Sequence, residues 1–164
     1  MTELMTQTTV QTPPRASTVI APNQGKVFSF LGNTITCKFD SSDTQGWRFF
    51  ENVGAGNIST PLHTHPWDEG FYILEGEMDL LIEDGIVHAT PGYCINIRAG
   101  IRHGSQMRSP GVKFLSWVSN RGAEKFMEEW SQAMQEPSPS PELLAQIRQK
   151  HGIVTADAIA AGVN

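Results

Sequence analysis

Between Thr18 and Val118 the chain breaks into short runs rich in β-branched and aromatic residues, separated by Gly, Asn, Asp and Pro at intervals of about ten residues. KVFSFLG, NTITCKF, GWRFFENV, GFYILEGEMDLLIEDG, GIVHATPG, YCINIRAG and VKFLSWV follow one another in this way. Short runs at that spacing predict an all-β domain, an antiparallel sandwich or barrel. EDG, Glu83 to Gly85, marks an expected hairpin turn, with Asp-Gly supplying the positive φ that a tight turn requires. No internal repeat is visible.

A chain of 164 residues suits one compact domain with tails. Residues 1–17, rich in Thr, Gln and Pro, read as a flexible or loosely docked arm. Residues 18–120 hold the β-domain, and residues 121–164 a helical extension. There, GAEKFMEEWSQAMQ spaces Phe126, Trp130 and Met134 four apart beside Met127, an apolar stripe that predicts a helix packed on its own domain. EPSPSP breaks the pattern. Ser140 is the expected N-cap of a second helix, with Pro141 at its first position and Glu142 at its positive end. Leu143, Leu144 and Ile147 give that helix its apolar face, and Gly152 its terminator. The alanine-rich stretch from Ala156 to Ala161 predicts a last turn or two.

Charge narrows the function. Lys and Arg number 12 against 17 Asp and Glu, a net charge of −5 with no basic run. Nucleic-acid binding rests on Lys and Arg neutralising phosphates, so no nucleic-acid partner is expected. No apolar run approaches the ~20 residues of a membrane helix, so no membrane partner is expected either. Cys37 and Cys94 stand far apart and predict two reduced thiols rather than a disulfide. The opening residues lack a basic start followed by an apolar core, and the expected place is the cytoplasm.

The chemistry concentrates in PLHTHPWDEGFYILEGE, Pro61 to Glu77. His63 and His65 are two apart, so on a strand both point to one face. Glu69 shares their parity, but Pro66 bends the strand between them, so parity permits convergence without establishing it. Buried, unpaired imidazoles are costly, and a cation beside them turns that cost into a site. Alone, His-x-His followed by an acid is a weak signal. His88 reads as an exposed strand residue, and His151 as a cation at the negative end of a helix. A lid over the pocket and a packing role at the rim are both open for Trp67. Phe71, Ile73, Cys94 and Asn96 are pocket-lining candidates by strand alternation, with plain core packing as the alternative.

A second segment, PGYCINIRAGIRHGSQM, supplies the wider context. Taken together the two segments resemble the cupin superfamily. Its first motif is Gly, five residues, His-x-His, three or four residues, Glu, six residues, Gly; its second is Gly, five residues, Pro-x-Gly, two residues, His, with Asn usual four positions on. His63, His65, Glu69, Gly76, Gly92, Gly100 and His103 fall on those positions. The resemblance spans about residues 20–120, and the combined spacing is highly specific. Three positions depart from it. Gly56 lies one residue too far from His63, Arg98 stands where Pro is usual, and Met107 where Asn is usual. None is a ligand position, and Arg98 reads as a surface residue.

The resemblance implies a double-stranded β-helix, the cupin jelly roll, followed here by a C-terminal pair of helices. It also implies that His63, His65, Glu69 and His103 meet on one divalent transition metal. Fe, Mn, Ni, Co, Cu and Zn all suit mixed nitrogen and oxygen ligands. DTQGWRFFENV, the histidine block and the helical tail are similar to bacterial single-domain quercetinase-like cupins. That likeness implies a dioxygenase (quercetin 2,3-dioxygenase-like) that cleaves a flavonol-like or other enolisable aromatic with O2. Glu69 would take the hydroxyl proton while ligating, and carbon monoxide would leave. A metal-assisted isomerase or cyclase that uses no O2, and a non-catalytic small-molecule binder, are the alternatives. The family likeness further implies a homodimer.

Overall fold

The computed structural model describes residues 17–156 apart from 41, 45, 120 and 121. The arm, save residue 17, and the alanine-rich stretch beyond Ala156 lie outside the described residues. Ten strands precede the helices: β1 Lys26–Phe30, β2 Asn33–Phe39, β3 Trp47–Gly54, β4 Ser59–Thr64, β5 Glu69–Glu75, β6 Met78–Ile82, β7 Gly85–Ala89, β8 Cys94–Ile97, β9 His103–Met107 and β10 Lys113–Ser119. Then come α1 Ala123–Ala133, α2 Pro141–Lys150 and a two-residue β11, Val154–Thr155.

All pairings are antiparallel, in two sheets ordered β1-β2-β3-β10-β5-β8 and β11-β4-β9-β6-β7. The fold is a jelly roll, as the resemblance implies and within the antiparallel sandwich or barrel that the spacing of the runs predicts. GFYILEGEMDLLIEDG is two strands rather than one, broken at Gly76. Gly76 takes φ 78°, and a Cβ there would meet Ser109 Oγ at 2.6 Å and Val112 Cα at 3.1 Å, so both conformation and space favour glycine. Pairing of Ile82 with Gly85 forms the expected hairpin, but the positive φ, 53°, belongs to Glu83 rather than to Asp-Gly. Both cysteines are free, Cys37 buried and Cys94 exposed.

The helices follow their sequence signals closely. Ser140 Oγ accepts from the Leu143 amide, and Pro141 opens α2. Gly152, φ 70°, closes it with paired bonds from Gly152 N to Gln149 O and from Ile153 N to Arg148 O. Phe126 and Trp130 are buried on α1 and Ile147 on α2. Two residues of the predicted stripes instead face solvent: Met134, the C-cap of α1, is 44% exposed and Leu143 39%. Both sit at helix ends, where the apolar face has turned away from the barrel. Glu129 clamps the hairpin, reaching Lys150 Nζ at 2.7 Å and His151 Nε2 at 3.1 Å. That pairing accompanies the helix-end placement expected for His151. Arg48 Nε on β3 meets Glu124 Oε2 in the first turn of α1 at 2.5 Å, a nearly buried pair that fixes the helix against the sheet.

The core has two parts. Ile73, Met78, Leu80, Ile97, Met107 and Phe114 fill one cluster between the sheets. In the other, Phe28, Ile35 and Phe50 pack with Trp67, Phe126 and Trp130, so the helical hairpin is built onto the barrel. The chain then returns as β11, pairing Thr155 with His63.

Candidate metal centre

His63 lies on β4, and His65 just past its end, in the short connection from the smaller sheet to the larger. Glu69 opens β5 in the larger sheet. His103 opens β9, where it pairs directly with His63 across the ladder. One sheet therefore supplies two imidazoles, the crossing a third, and the facing sheet the carboxylate. The register of β4 shifts between Thr60 and His63, an irregularity that re-aims the strand at the site. His65 and His103 are buried and His63 half-buried. Their rings stand 4.4 Å (His63–His103), 4.7 Å (His65–His103) and 5.4 Å (His63–His65) apart, and a ring nitrogen of each lies within 4.8 Å of the others.

The backbone decides which nitrogens face inward. His63 Nδ1–H donates to Pro61 O, His65 Nδ1–H to Trp67 O and His103 Nδ1–H to Ile101 O, each at 2.8 Å. That pattern leaves Nε2 of every ring as the free lone pair, the tautomer that a metal needs. Glu69 Oε2 lies 3.0 Å from His65 Nε2 and 3.4 Å from His103 Nε2. Lone pairs thus face a carboxylate, an arrangement that is repulsive without a cation between them. His103 Nε2 is buried and lacks a hydrogen-bond partner, its 3.4 Å approach to Glu69 being too poorly placed to count as one. The donor set fits a divalent ion of intermediate softness.

Without a cation, the electrostatics divide the imidazoles. Burial, with His103 close by, pushes His63 down to about 4, so it stays a neutral imidazole well into the acid range. Burial also lowers His103, but the Glu69 carboxylate more than reverses this and its pKa lies above the ordinary value. For Glu69, burial acts upward and is outweighed by His103 and His65, which hold it at about 2. Glu69 is therefore a carboxylate at neutral pH.

Residues 49–118 match the family model described as Cupin domain. That stretch therefore resembles a cupin domain. Solved structures agree: the fold resembles the polyketide cyclase RemF from Streptomyces resistomycificus, with 25% identity and TM-score 0.57 over 63% of this chain and 80% of that one. It also resembles KdgF from Halomonas sp., with 13% identity and TM-score 0.60 over 67% and 99% of the two chains. An RmlC-like cupin from Shewanella frigidimarina shows 16% identity and TM-score 0.55 over 63% and 92%. The last two speak to the fold alone. No curated protein matches the chain.

The barrel and its helical hairpin line a cavity of about 230 Å³ that includes His63, His65, Glu69 and His103 in its wall. Trp67 lines it while 3% exposed, stacked on His65 at 4.5 Å and 13°. Its contacts with His65 and Phe126 are those of the packing role. Phe71 lines the cavity, whereas Ile73 is core. Cys94 and Asn96 do not line it: both are exposed, because β8 turns Ile95 and Ile97 inward. The alternation of β8 runs one residue out of phase with the expectation. Arg98 is exposed, as expected, while Met107 is buried and lines the cavity. His88 is exposed beside Asp79, at 2.6 Å.

Several wall residues escape the motif reading. Phe126, Trp130 and Arg148 come from the helices, and Asn52 and Ser116 from β3 and β10, joined by a 2.9 Å hydrogen bond. The signal for the first group was present in the four-residue spacing of Phe126 and Trp130, which marks a buried face but not what it covers. Among the described residues no helix is long and apolar enough to cross a membrane.

Proposed function

We propose that this cupin is a metal-dependent enzyme that deprotonates an enolisable, flavonol-like aromatic and cleaves it with dioxygen. The observation that carries the reading is the convergence of three Nδ1-anchored imidazoles and Glu69 on one wall of a largely apolar cavity. His63, His65 and His103 would hold one divalent ion through Nε2, and Glu69 through a carboxylate oxygen. Bound there, the ion supplies Lewis acidity that lowers the pKa of a substrate hydroxyl. Such help is needed, because a carboxylate held at about 2 is too weak a base for an ordinary phenol. Glu69 Oε2 is the proton acceptor, 3.0 Å from Nε2 of His65, whose ring is fixed by Trp67 O. Phe71, Phe114, Leu80 and Phe126 receive the rings and keep bulk water from the charge that develops.

A second reading, cyclisation or isomerisation without dioxygen, is favoured by the 25% identity to a polyketide cyclase. It uses the same ligands and the same base. Adding 3-hydroxyflavone under argon tests both. The proposal expects a shift of the flavonol band to longer wavelength, then bleaching and release of carbon monoxide once air is admitted. A shift that persists unchanged in air would remove the dioxygenase; absence of any shift would remove the substrate class. As the cupin likeness implies, the assembly is taken to be a homodimer, which light scattering on the eluted protein would report as twice the 18.1 kDa chain mass.

A further inference from the structure

We propose that Arg148 docks an acidic group of the substrate, a carboxylate by class, against the wall that the helical hairpin gives the cavity. This inference rests on the cavity being a substrate site. Apart from the imidazoles, Glu69 and Arg148 are the ionisable side chains of that wall. Arg148 is half-buried in the last turn of α2, and its guanidinium lies 5.7 Å from the centroid of the Trp130 ring. The surroundings are apolar: Phe126, Met127 and Ile153 line the cavity with it.

Its neighbours on the helix are satisfied differently. Lys150 and His151 both reach Glu129, and the buried Arg48 has Glu124. No carboxylate among the described residues lies within ion-pair distance of Arg148. A guanidinium held over an indole ring has less freedom in where its fork of donors points. A cation on an apolar wall gains most from an anion that arrives already shedding water. Trp130 adds a second donor: its Nε1–H is buried and has no acceptor among the described residues. The ligand that satisfies this wall carries an acceptor-only, negatively charged group, which a carboxylate is and an alcohol or amide is not.

A stem merely covering Trp130 would be the ordinary role of such an arginine, and two probes separate the roles. 2-Naphthoate and 2-naphthamide share one ring system and differ in charge. Titration calorimetry on the protein as purified should show naphthoate binding about tenfold tighter than naphthamide, the scale of one charge-assisted pair. Arg148→Met should abolish that preference while leaving naphthamide affinity unchanged. Arg148→Lys, which keeps the charge and loses the fork, should retain part of it. His63→Ala, with its metal content measured in parallel, should retain the preference, placing the carboxylate on Arg148 rather than on the ion. Equal preference for naphthoate in wild type and Arg148→Met would overturn the assignment, as would a wild type indifferent to charge. Failure of the metal-enzyme reading would appear elsewhere, in metal content and in the flavonol spectrum, with the naphthoate preference intact.

Discussion

Gly104, the residue after His103 on β9, is where a single methyl group should disturb the centre most cleanly. A Cβ there would stand 2.8 Å from Thr60 O, 3.2 Å from Leu62 N and 3.3 Å from Pro61 C. All three are backbone atoms of β4, so no side chain can swing aside. The two strands must separate by about 0.5 Å to restore ordinary contact. His63 and His103 are partners across that ladder, and the separation passes directly into the distance between them. Overpacking of this kind costs about 1–3 kcal/mol, or roughly 2–12 °C in melting temperature for a domain of this size. Metal affinity should fall about 10–100-fold, the range seen when support for a ligand is disturbed. Thermal melts and competitive metal titration of Gly104→Ala provide the assay. Gly85→Ala is the control, because its nearest atom is Ile82 O at an unstrained 3.6 Å. Wild-type melting and wild-type metal affinity in Gly104→Ala would refute the close-approach reasoning.

Glu69→Gln keeps shape and one oxygen ligand but removes the base: partial metal binding should survive while flavonol turnover falls at least ~100-fold. Normal turnover would exclude Glu69 as proton acceptor. In metal-free protein, acid should destabilise the fold in two steps. His63 titrates at about 4 when folded but near its ordinary 6.5 when unfolded, so between those values the unfolded chain binds the extra proton and stability falls with pH. Glu69 is held at about 2 against 4.5, and its contribution, full above 4.5, is lost as pH drops towards 2. His103, raised above 6.5, works in the opposite sense and favours the fold below that pH. Melting temperature against pH for wild type and His63→Gln checks the first step, which the variant should lack. Trp67→Ala removes a ring that packs on both His65 and Phe126, and should destabilise by about 3–5 kcal/mol in chemical denaturation.

Much of this architecture was legible in the residues, for identifiable reasons. Turn residues at regular intervals reported the strands, and Gly76, Gly92 and Gly100, which take positive φ, mark three of the breaks. Ser140, Pro141 and Gly152 act through local backbone chemistry, so α2 could be bounded almost to the residue. What failed was non-local. Cys94 and Asn96 were placed inward because alternation gives a period and not its phase, which the preceding turn at Gly92 sets. The pairing of Thr155 with His63 joins residues 92 apart and leaves no signature in two residues of strand. Nor could an amphipathic stripe reveal that Phe126 and Trp130 roof a cavity beside the histidines, or that Arg148 joins them there. The four candidate ligands come from separate segments, and only the combined spacing of both motifs brought them together on paper.

Metal content of protein purified without chelator tests the central claim most directly. Elemental analysis should find about one divalent ion per chain in wild type, and only a small fraction of that in His103→Ala, whose ring supplies the buried, partnerless Nε2. Full occupancy in His103→Ala, or a wild type that neither carries a divalent metal nor takes one up on titration at neutral pH, would contradict it.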